Sequence, residues 1–142
     1  MPSSVAPVLG TVGLGLLSGC VLSFTFFLVP VMLAAPSEIQ PVLFKRAYAI
    51  GKVSMPTLAV ATAAALGFSY ATSPDPQSHY LYSAGLALAI APFTVIFMMS
   101  TVNACHEYRP DLATCLKRWG YLNLVRGLFP LAGFVLNLIA TA

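Results

Sequence analysis

The sequence predicts an all-α protein: an integral membrane four-helix bundle with up-down-up-down topology. Of its 142 residues, 58% are hydrophobic and only 8% are charged, whereas soluble domains carry about 25% charged residues. Four long apolar segments, separated by short polar stretches, can each cross a hydrocarbon core of about 30 Å at about 1.5 Å per residue. Because helices joined by short loops alternate in direction, residues 1–142 are expected to form one four-helix domain.

The first predicted span covers about residues 7–35 and lies in a stretch without any charged residue. Gly15 and Gly19 form a GxxxG pattern, with Gly10 and Ser18 nearby, which is typical of close helix–helix approach. Pro30 lacks the backbone N–H that would pair with the carbonyl of Phe26, so the sequence predicts a kink in the last third of this helix.

The second predicted span covers about residues 46–71 and contains a proline four residues after a lysine. Pro56 therefore leaves the carbonyl of Lys52 without its helical donor, and in the fourth span Pro130 does the same to the carbonyl of Arg126. Both helices are thus expected to bring a cation and an unpaired carbonyl to a similar depth. Such irregular backbone is tolerated in a membrane where it faces protein or a water-filled cavity.

The remaining chain supplies a turn, two spans and a polar loop. Residues 72–78 form a turn, as their Ser, Pro, Asp and Gln content indicates, and the third span is predicted at about residues 79–103. The segment 104–117 is predicted to be a polar loop with a short helix after Pro110. The fourth span is predicted at about residues 118–140.

The basic residues predict the orientation of the bundle. The first and third loops lie on one side and carry five cations, namely Lys45, Arg46, Arg109, Lys117 and Arg118. The termini and the second loop carry none, so the positive-inside rule predicts that both termini are luminal or exoplasmic. Orientation also accounts for the net charge of +3, so nucleic acid is not expected as a partner.

Three polar or aromatic residues share one face of the fourth span. At about 100° per residue, Trp119, Asn123 and Arg126 lie within about 40° of one another. An arginine two turns inside a spanning helix costs about 2.5 kcal/mol or more without partners, which favours a functional role. The alternative is that Arg126 extends to the lipid headgroups while Trp119 anchors the interface.

Trp119, Asn123 and Arg126 are predicted in the cytosolic half of the bundle. Four other polar residues are predicted in the same half, namely Tyr48, Lys52, Asn103 and His106. Hydrogen-bond donors predominate over acceptors in this set, which suits a flat apolar phenol bound as its phenolate or enolate. Proton removal next to a carbonyl would need a base, for which His106, Lys52 and Tyr48 are the candidates. The alternative is that these are interfacial and helix-packing residues.

The sequence gives little support to a metal or nucleotide site. His79 and His106 bracket the third span and are predicted to lie about 40 Å apart, so they cannot share an ion. A loop site formed by His106 with Cys105, Glu107 and Cys115 remains an alternative, although its spacing matches no recognised zinc pattern and no CxxCH motif is present. The sequence also lacks GxGxxG, P-loop, GxSxG and HExxH motifs.

Two motifs resemble the anthrone oxygenase family, whose members are small four-helix membrane proteins. Residues 92–94 (PFT) followed by residues 98–103 (MMSTVN) are similar to the family's "PFT…mmpTN" segment, with Ser100 where a proline is usual. Residues 118–126 (RWGYLNLVR) resemble its "W..LN..R" signature. The similarity extends to Pro30 and to residues 48–52, and thus covers essentially the whole chain.

The resemblance implies an oxygenase that oxidises an anthrone, a small aromatic polyketide phenol, to an anthraquinone with O2 and without a bound redox cofactor. By the same resemblance, Arg126 and Lys52 would stabilise the substrate anion and Asn103 and Asn123 would orient it. Substrate contacts would also fall to Thr94 and Thr101.

For such a protein we expect contact with membrane lipid and a possible homo-oligomer. The membrane would be that of the endoplasmic reticulum or a vesicle in a fungus, or the plasma membrane in a bacterium. The alternatives are a non-enzymatic four-helix scaffold or lipid-binding protein, and a metal- or haem-dependent membrane oxidoreductase.

Overall fold

The computed structural model describes residues 5–75 and 77–141, which form four long helices and no β-strand. The helices are α1 (Val5–Ala34), α2 (Gln40–Thr72), α3 (His79–Cys105) and α4 (Leu112–Thr141), and each is long and apolar enough to cross a membrane. The all-α, four-helix architecture predicted from composition is therefore confirmed.

The helices pack in a ring in which neighbours run antiparallel. α1 contacts α2 and α4, and α3 contacts the same two helices from the other side. Along the α1–α4 contact, the Ser18 hydroxyl donates to the carbonyl oxygen of Gly127 at 3.2 Å and the Thr25 hydroxyl donates to that of Gly120 at 2.7 Å. Residue numbers rise along α1 while those of their partners fall along α4, so these two helices are antiparallel. With the short connections between successive helices, this gives the up-down-up-down arrangement.

The helices extend beyond the apolar segments at the basic end of the bundle. The short helix predicted after Pro110 is not a separate element, because α4 begins at Leu112 and continues without a break. Leu112 and Leu116 are buried in the core, whereas Lys117 and Arg118 lie exposed on the outer face of the same helix. Cations on an outer face do not end a helix, so the polar connection shrinks to residues 106–111.

Glycines bring α1 close to its neighbours, and the predicted small residues contribute unequally to this approach. A Cβ at Gly10 or Gly13 would collide with side chains of α2. Gly15 packs against Phe134 of α4, while a Cβ at Gly19 would meet no neighbouring atom within 4 Å. The close α1–α2 contact therefore rests on Gly10 and Gly13 rather than on the GxxxG pair.

Two of the helices contain a π-helical turn beside a proline. α1 forms one at Phe24–Leu28, two residues before Pro30, and the Val29 N–H donates to the Phe24 carbonyl across it. α3 forms the other at Thr94–Met98, two residues after Pro92. Single π turns inside α-helices occur frequently at functional sites.

The hydrophobic core has two parts. One contains Leu14, Leu17, Leu66 and Ala87, and the other, toward the basic end, contains Met32, Phe44, Met98 and Trp119. Phe24, the first residue of the π turn in α1, packs against both parts. The candidate site lies at the same level.

Candidate active site

The polar face predicted on α4 is buried and connected by hydrogen bonds. Trp119 is 3% exposed, Asn123 0% and Arg126 8%. The Asn123 Nδ2 donates to the carbonyl oxygen of Trp119 at 2.9 Å, and the Arg126 Nη2 donates to the Asn123 Oδ1 at 2.5 Å. The three residues therefore form one continuous network along a single helical face.

Arg126 lies in the middle of the bundle. At about 1.5 Å per residue it is about 21 Å from either end of α4. Its Nη1 donates to the Thr94 hydroxyl of α3 at 2.9 Å, and that hydroxyl donates in turn to the carbonyl oxygen of Ile90 at 2.7 Å. The guanidinium is thus held inside the protein and does not extend toward the lipid headgroups.

Arg126 has no acidic partner among the residues that the structure describes. All Asp and Glu side chains of the chain are exposed in the connections between helices, at Glu38, Asp75, Glu107 and Asp111. A guanidinium carries five N–H donors, and Arg126 makes hydrogen bonds to two side chains. A buried cation with donors in reserve and no counter-ion favours an anionic ligand.

A cavity of about 240 Å³ lies beside this arginine. Most of its wall comes from α2 and α3, while Phe24 of α1 and Trp119 and Arg126 of α4 form its inner side. The volume is just below the range of about 300–1,000 Å³ that is usual for small-molecule sites. Its lining is mainly apolar, with a few polar side chains, as is usual for a small-molecule site.

The structure brings some of the predicted site residues together and not others. Those lining the cavity are Tyr48, Lys52, Thr94, Trp119 and Arg126, with Asn123 directly behind Arg126. Thr101 is buried but does not line the cavity, and Asn103 is exposed. The His106 Nδ1 lies 2.7 Å from the carbonyl oxygen of Val102, and this imidazole is also outside the cavity lining.

A group of aromatic rings packs together at the basic end of the cavity. The Tyr48 hydroxyl of α2 lies 3.7 Å from the Met99 Sδ of α3, and this contact connects the two helices. The Tyr48 ring stacks on Phe44 with centroids 6.0 Å apart, and His106 meets it edge-on at 5.4 Å. Phe44 in turn meets Trp119 edge-on at 5.0 Å.

Sequence reasoning did not identify several apolar residues of the cavity wall, among them Phe24, Met55 and Met98. A signal was present for two of them. Met55 follows Lys52 by three residues and Met98 follows Thr94 by four, so each shares a helical face with a predicted polar residue. Phe24 belongs to a different helix, and no spacing connects it to the site.

The described residues contain no group of three or more His, Cys, Asp or Glu side chains placed to hold a metal ion. The alternative loop site, made of the side chains of Cys105, His106, Glu107 and Cys115, is therefore not present as such a group. The residues that surround the cavity thus offer cationic and neutral groups rather than metal ligands.

Comparison with known proteins gives consistent matches. The family model for anthrone oxygenase matches residues 44–136. The chain is 33% identical to "Anthrone oxygenase tpcL" of Aspergillus fumigatus, over 86% of this chain and 84% of that protein. It is 30% identical to "Anthrone oxygenase gedH" of Aspergillus terreus (82% and 86%) and 32% identical to "Anthrone oxygenase" of Claviceps purpurea (85% and 79%). No solved structure matches the chain.

Proposed function

The chain belongs to the anthrone oxygenase family, and on that premise we propose that it is a membrane-embedded oxygenase that converts an anthrone-type polyketide phenol into the anthraquinone with O2. The names of the relatives support the oxygenase activity and the substrate class. Four helices long and apolar enough to cross a membrane support the embedding. We further propose that both termini are luminal or exoplasmic, because the basic connections lie at the opposite end.

The proposed reaction begins with loss of a proton from the C10 methylene of the anthrone. The resulting carbanion is an electron-rich aromatic phenolate, which passes one electron to O2 to give a substrate radical and superoxide. Their recombination forms the C10–O bond, and protonation gives a hydroperoxide. Cleavage of the O–O bond with loss of the second C10 hydrogen releases water and leaves the quinone carbonyl, so O2 accepts four electrons in total and no other oxidant is required.

The observation that carries this proposal is the buried Arg126 without an acidic partner among the described residues. An anionic substrate in the cavity would supply the missing negative charge. Because the site is apolar and buried, donors aimed at that charge stabilise it more than they would in water. Asn123 and Thr94 hold the guanidinium in place, so it need not reorganise when the anion forms.

The remaining cavity residues have roles that follow from their chemistry. Trp119 offers an aromatic face on which a tricyclic phenol can stack. Of the three candidate bases, Tyr48 and Lys52 line the cavity and His106 does not, so we assign proton removal to Tyr48 or Lys52. No resident redox cofactor is part of the proposal, since the carbanion itself reduces O2.

The test is turnover of an anthrone by purified protein in lipid nanodiscs under air, followed by quinone absorbance. We expect a rate well above autoxidation in nanodiscs without protein. With ¹⁸O2, the new C10 carbonyl should carry the label. A rate equal to that of empty nanodiscs would favour the scaffold or lipid-binding alternative, and turnover without ¹⁸O incorporation would refute the proposed chemistry.

A further inference from the structure

We propose that the substrate enters the cavity sideways from the lipid phase, through a portal between α2 and α3 at the middle of the bundle. The identity of the substrate rests on the proposed function, whereas the portal itself rests on the shape of the cavity. An apolar phenol dissolved in the bilayer is the occupant that this geometry suits.

The rims of the portal are residues that line the cavity and are also exposed on the outside of the bundle. They are Lys52, Pro56 and Val60 on α2, and Leu88, Ala91 and Val95 on α3. The spacings of three and four residues place each set along one edge of its helix. Val60 is 60% exposed and Val95 66%, so the cavity reaches the lateral surface between these two edges.

The depth of the portal argues for lipid rather than water as the source. Val60 and Ala91 lie more than two turns from the ends of α2 and α3, at a level where the surrounding medium would be hydrocarbon. Five of the six rim side chains are apolar. The exception, Lys52, is the α2 rim residue nearest the basic end, and its long side chain can extend toward the headgroups.

The other obvious route, along the bundle axis from the basic end, is occupied by packed side chains. Tyr48 and Met99 connect α2 to α3 there, and Phe44 and His106 pack around the Tyr48 ring. A rigid tricyclic molecule entering by that route would have to displace this aromatic group. The lateral portal requires no such displacement.

The inner wall explains why a phenol entering sideways would stay. A flat molecule that passes between the rims reaches Trp119 and Arg126, which form the side of the cavity opposite the portal. Its apolar part would remain among α2 and α3 side chains while its oxygen meets the guanidinium. Entry from lipid therefore delivers the ionisable end of the substrate first.

The experiment compares Ala91→Phe, which adds bulk at the rim, with Ala132→Phe, the same change at an exposed alanine of α4 outside the cavity lining. Both variants are placed in nanodiscs, and kcat and kcat/KM for an anthrone are measured. The second readout is fluorescence of Trp119, the only tryptophan of the chain, during mixing with nanodiscs that carry a lipid-dissolved anthraquinone. Because Trp119 is buried in the cavity wall, the contact component of the quenching needs entry into the cavity but no turnover, so it reports access independently of the reaction.

We expect Ala91→Phe to lower kcat/KM and the rate of Trp119 quenching by about tenfold, within the range over which association rates vary among variants of one site. Ala132→Phe should match the wild type in both. If the rate of Trp119 quenching in Ala91→Phe is within about twofold of the rate in Ala132→Phe, the portal proposal is refuted. If the wild-type protein shows no turnover above autoxidation, the proposed function fails, and the quenching contrast alone then decides whether the portal exists.

Discussion

Replacing Arg126 with methionine separates the role of this residue in folding from its role in catalysis. Methionine is unbranched and uncharged, so it can fill the space of the aliphatic part of the arginine side chain without supplying hydrogen-bond donors. The change removes the donors to Thr94 and Asn123. The Thr94 hydroxyl keeps its bond to the Ile90 carbonyl, whereas the Asn123 Oδ1, in a fully buried side chain, loses its donor.

Two opposing effects determine the stability of this variant. An unsatisfied buried acceptor costs about 1–3 kcal/mol, while a charged side chain at the centre of a spanning helix costs about 2.5–3.5 kcal/mol. Since the two ranges overlap, the free energy of unfolding should fall by no more than about 0.5 kcal/mol and rise by no more than about 2.5 kcal/mol. Turnover should behave differently, because deleting one preorganised donor to a developing anion lowers kcat by about 10²–10³.

The assay is anthrone turnover in nanodiscs together with the thermal unfolding midpoint of the same preparation. Arg126→Lys should restore turnover only in part, because an ammonium group cannot reproduce the planar fork that contacts Thr94 and Asn123. Asn123→Leu should lower turnover by less, since it loosens the guanidinium without removing it. Near-normal turnover by Arg126→Met with an unchanged midpoint would refute the assignment of Arg126 to the substrate anion.

Three further predictions concern metal dependence, topology and packing. Chelators should leave turnover unchanged, because the two histidines lie at opposite ends of α3; loss of activity that one added metal ion restores would contradict this. A glycosylation acceptor fused after Ala142 should be modified in a eukaryotic host and one inserted at residues 106–111 should not, and the reverse pattern would invert the orientation. Gly133→Val should destabilise the bundle by about 1–3 kcal/mol, the usual cost of overpacking, because its Cβ would already touch Leu14 and the Ser83 backbone at 3.3 and 3.4 Å before the two methyl groups of valine are added. Gly67→Val is the matched control, since a Cβ there meets no neighbouring atom within 4 Å, and equal losses in the unfolding midpoint would show that packing is not the cause.

The fold was predictable from the sequence because the number of apolar segments determines the number of helices that can cross a membrane. The ends of the helices were less predictable. Lys117 and Arg118 mark where an apolar stretch begins, but α4 starts at Leu112 because hydrogen bonding, not hydropathy, determines the extent of a helix. The connection that remains, residues 106–111, is accordingly shorter than its polar composition indicates.

The candidate site was predictable along one helix and less so between helices. Periodicity alone placed Trp119, Asn123 and Arg126 on a common face, and the structure shows that this face is buried. Counting residues gave the depth of Asn103 and His106 but not the direction in which each side chain points. That direction depends on how α3 is rotated about its axis. The packing of α3 against α2 and α4 determines this rotation, and a single sequence does not specify it.

The π turn of α3 has a consequence for helical phase. Ile90, Thr94, Met98 and Val102 all line the cavity, although they recur every four residues. In a continuous α-helix the twelve steps from Ile90 to Val102 would turn through about 1,200°, leaving Val102 about 120° away from Ile90. The turn at Thr94–Met98 uses one residue more per revolution, which cancels most of that drift. The parts of α3 before and after the π turn therefore have different helical registers. The one additional residue in the turn keeps both parts facing the same cavity.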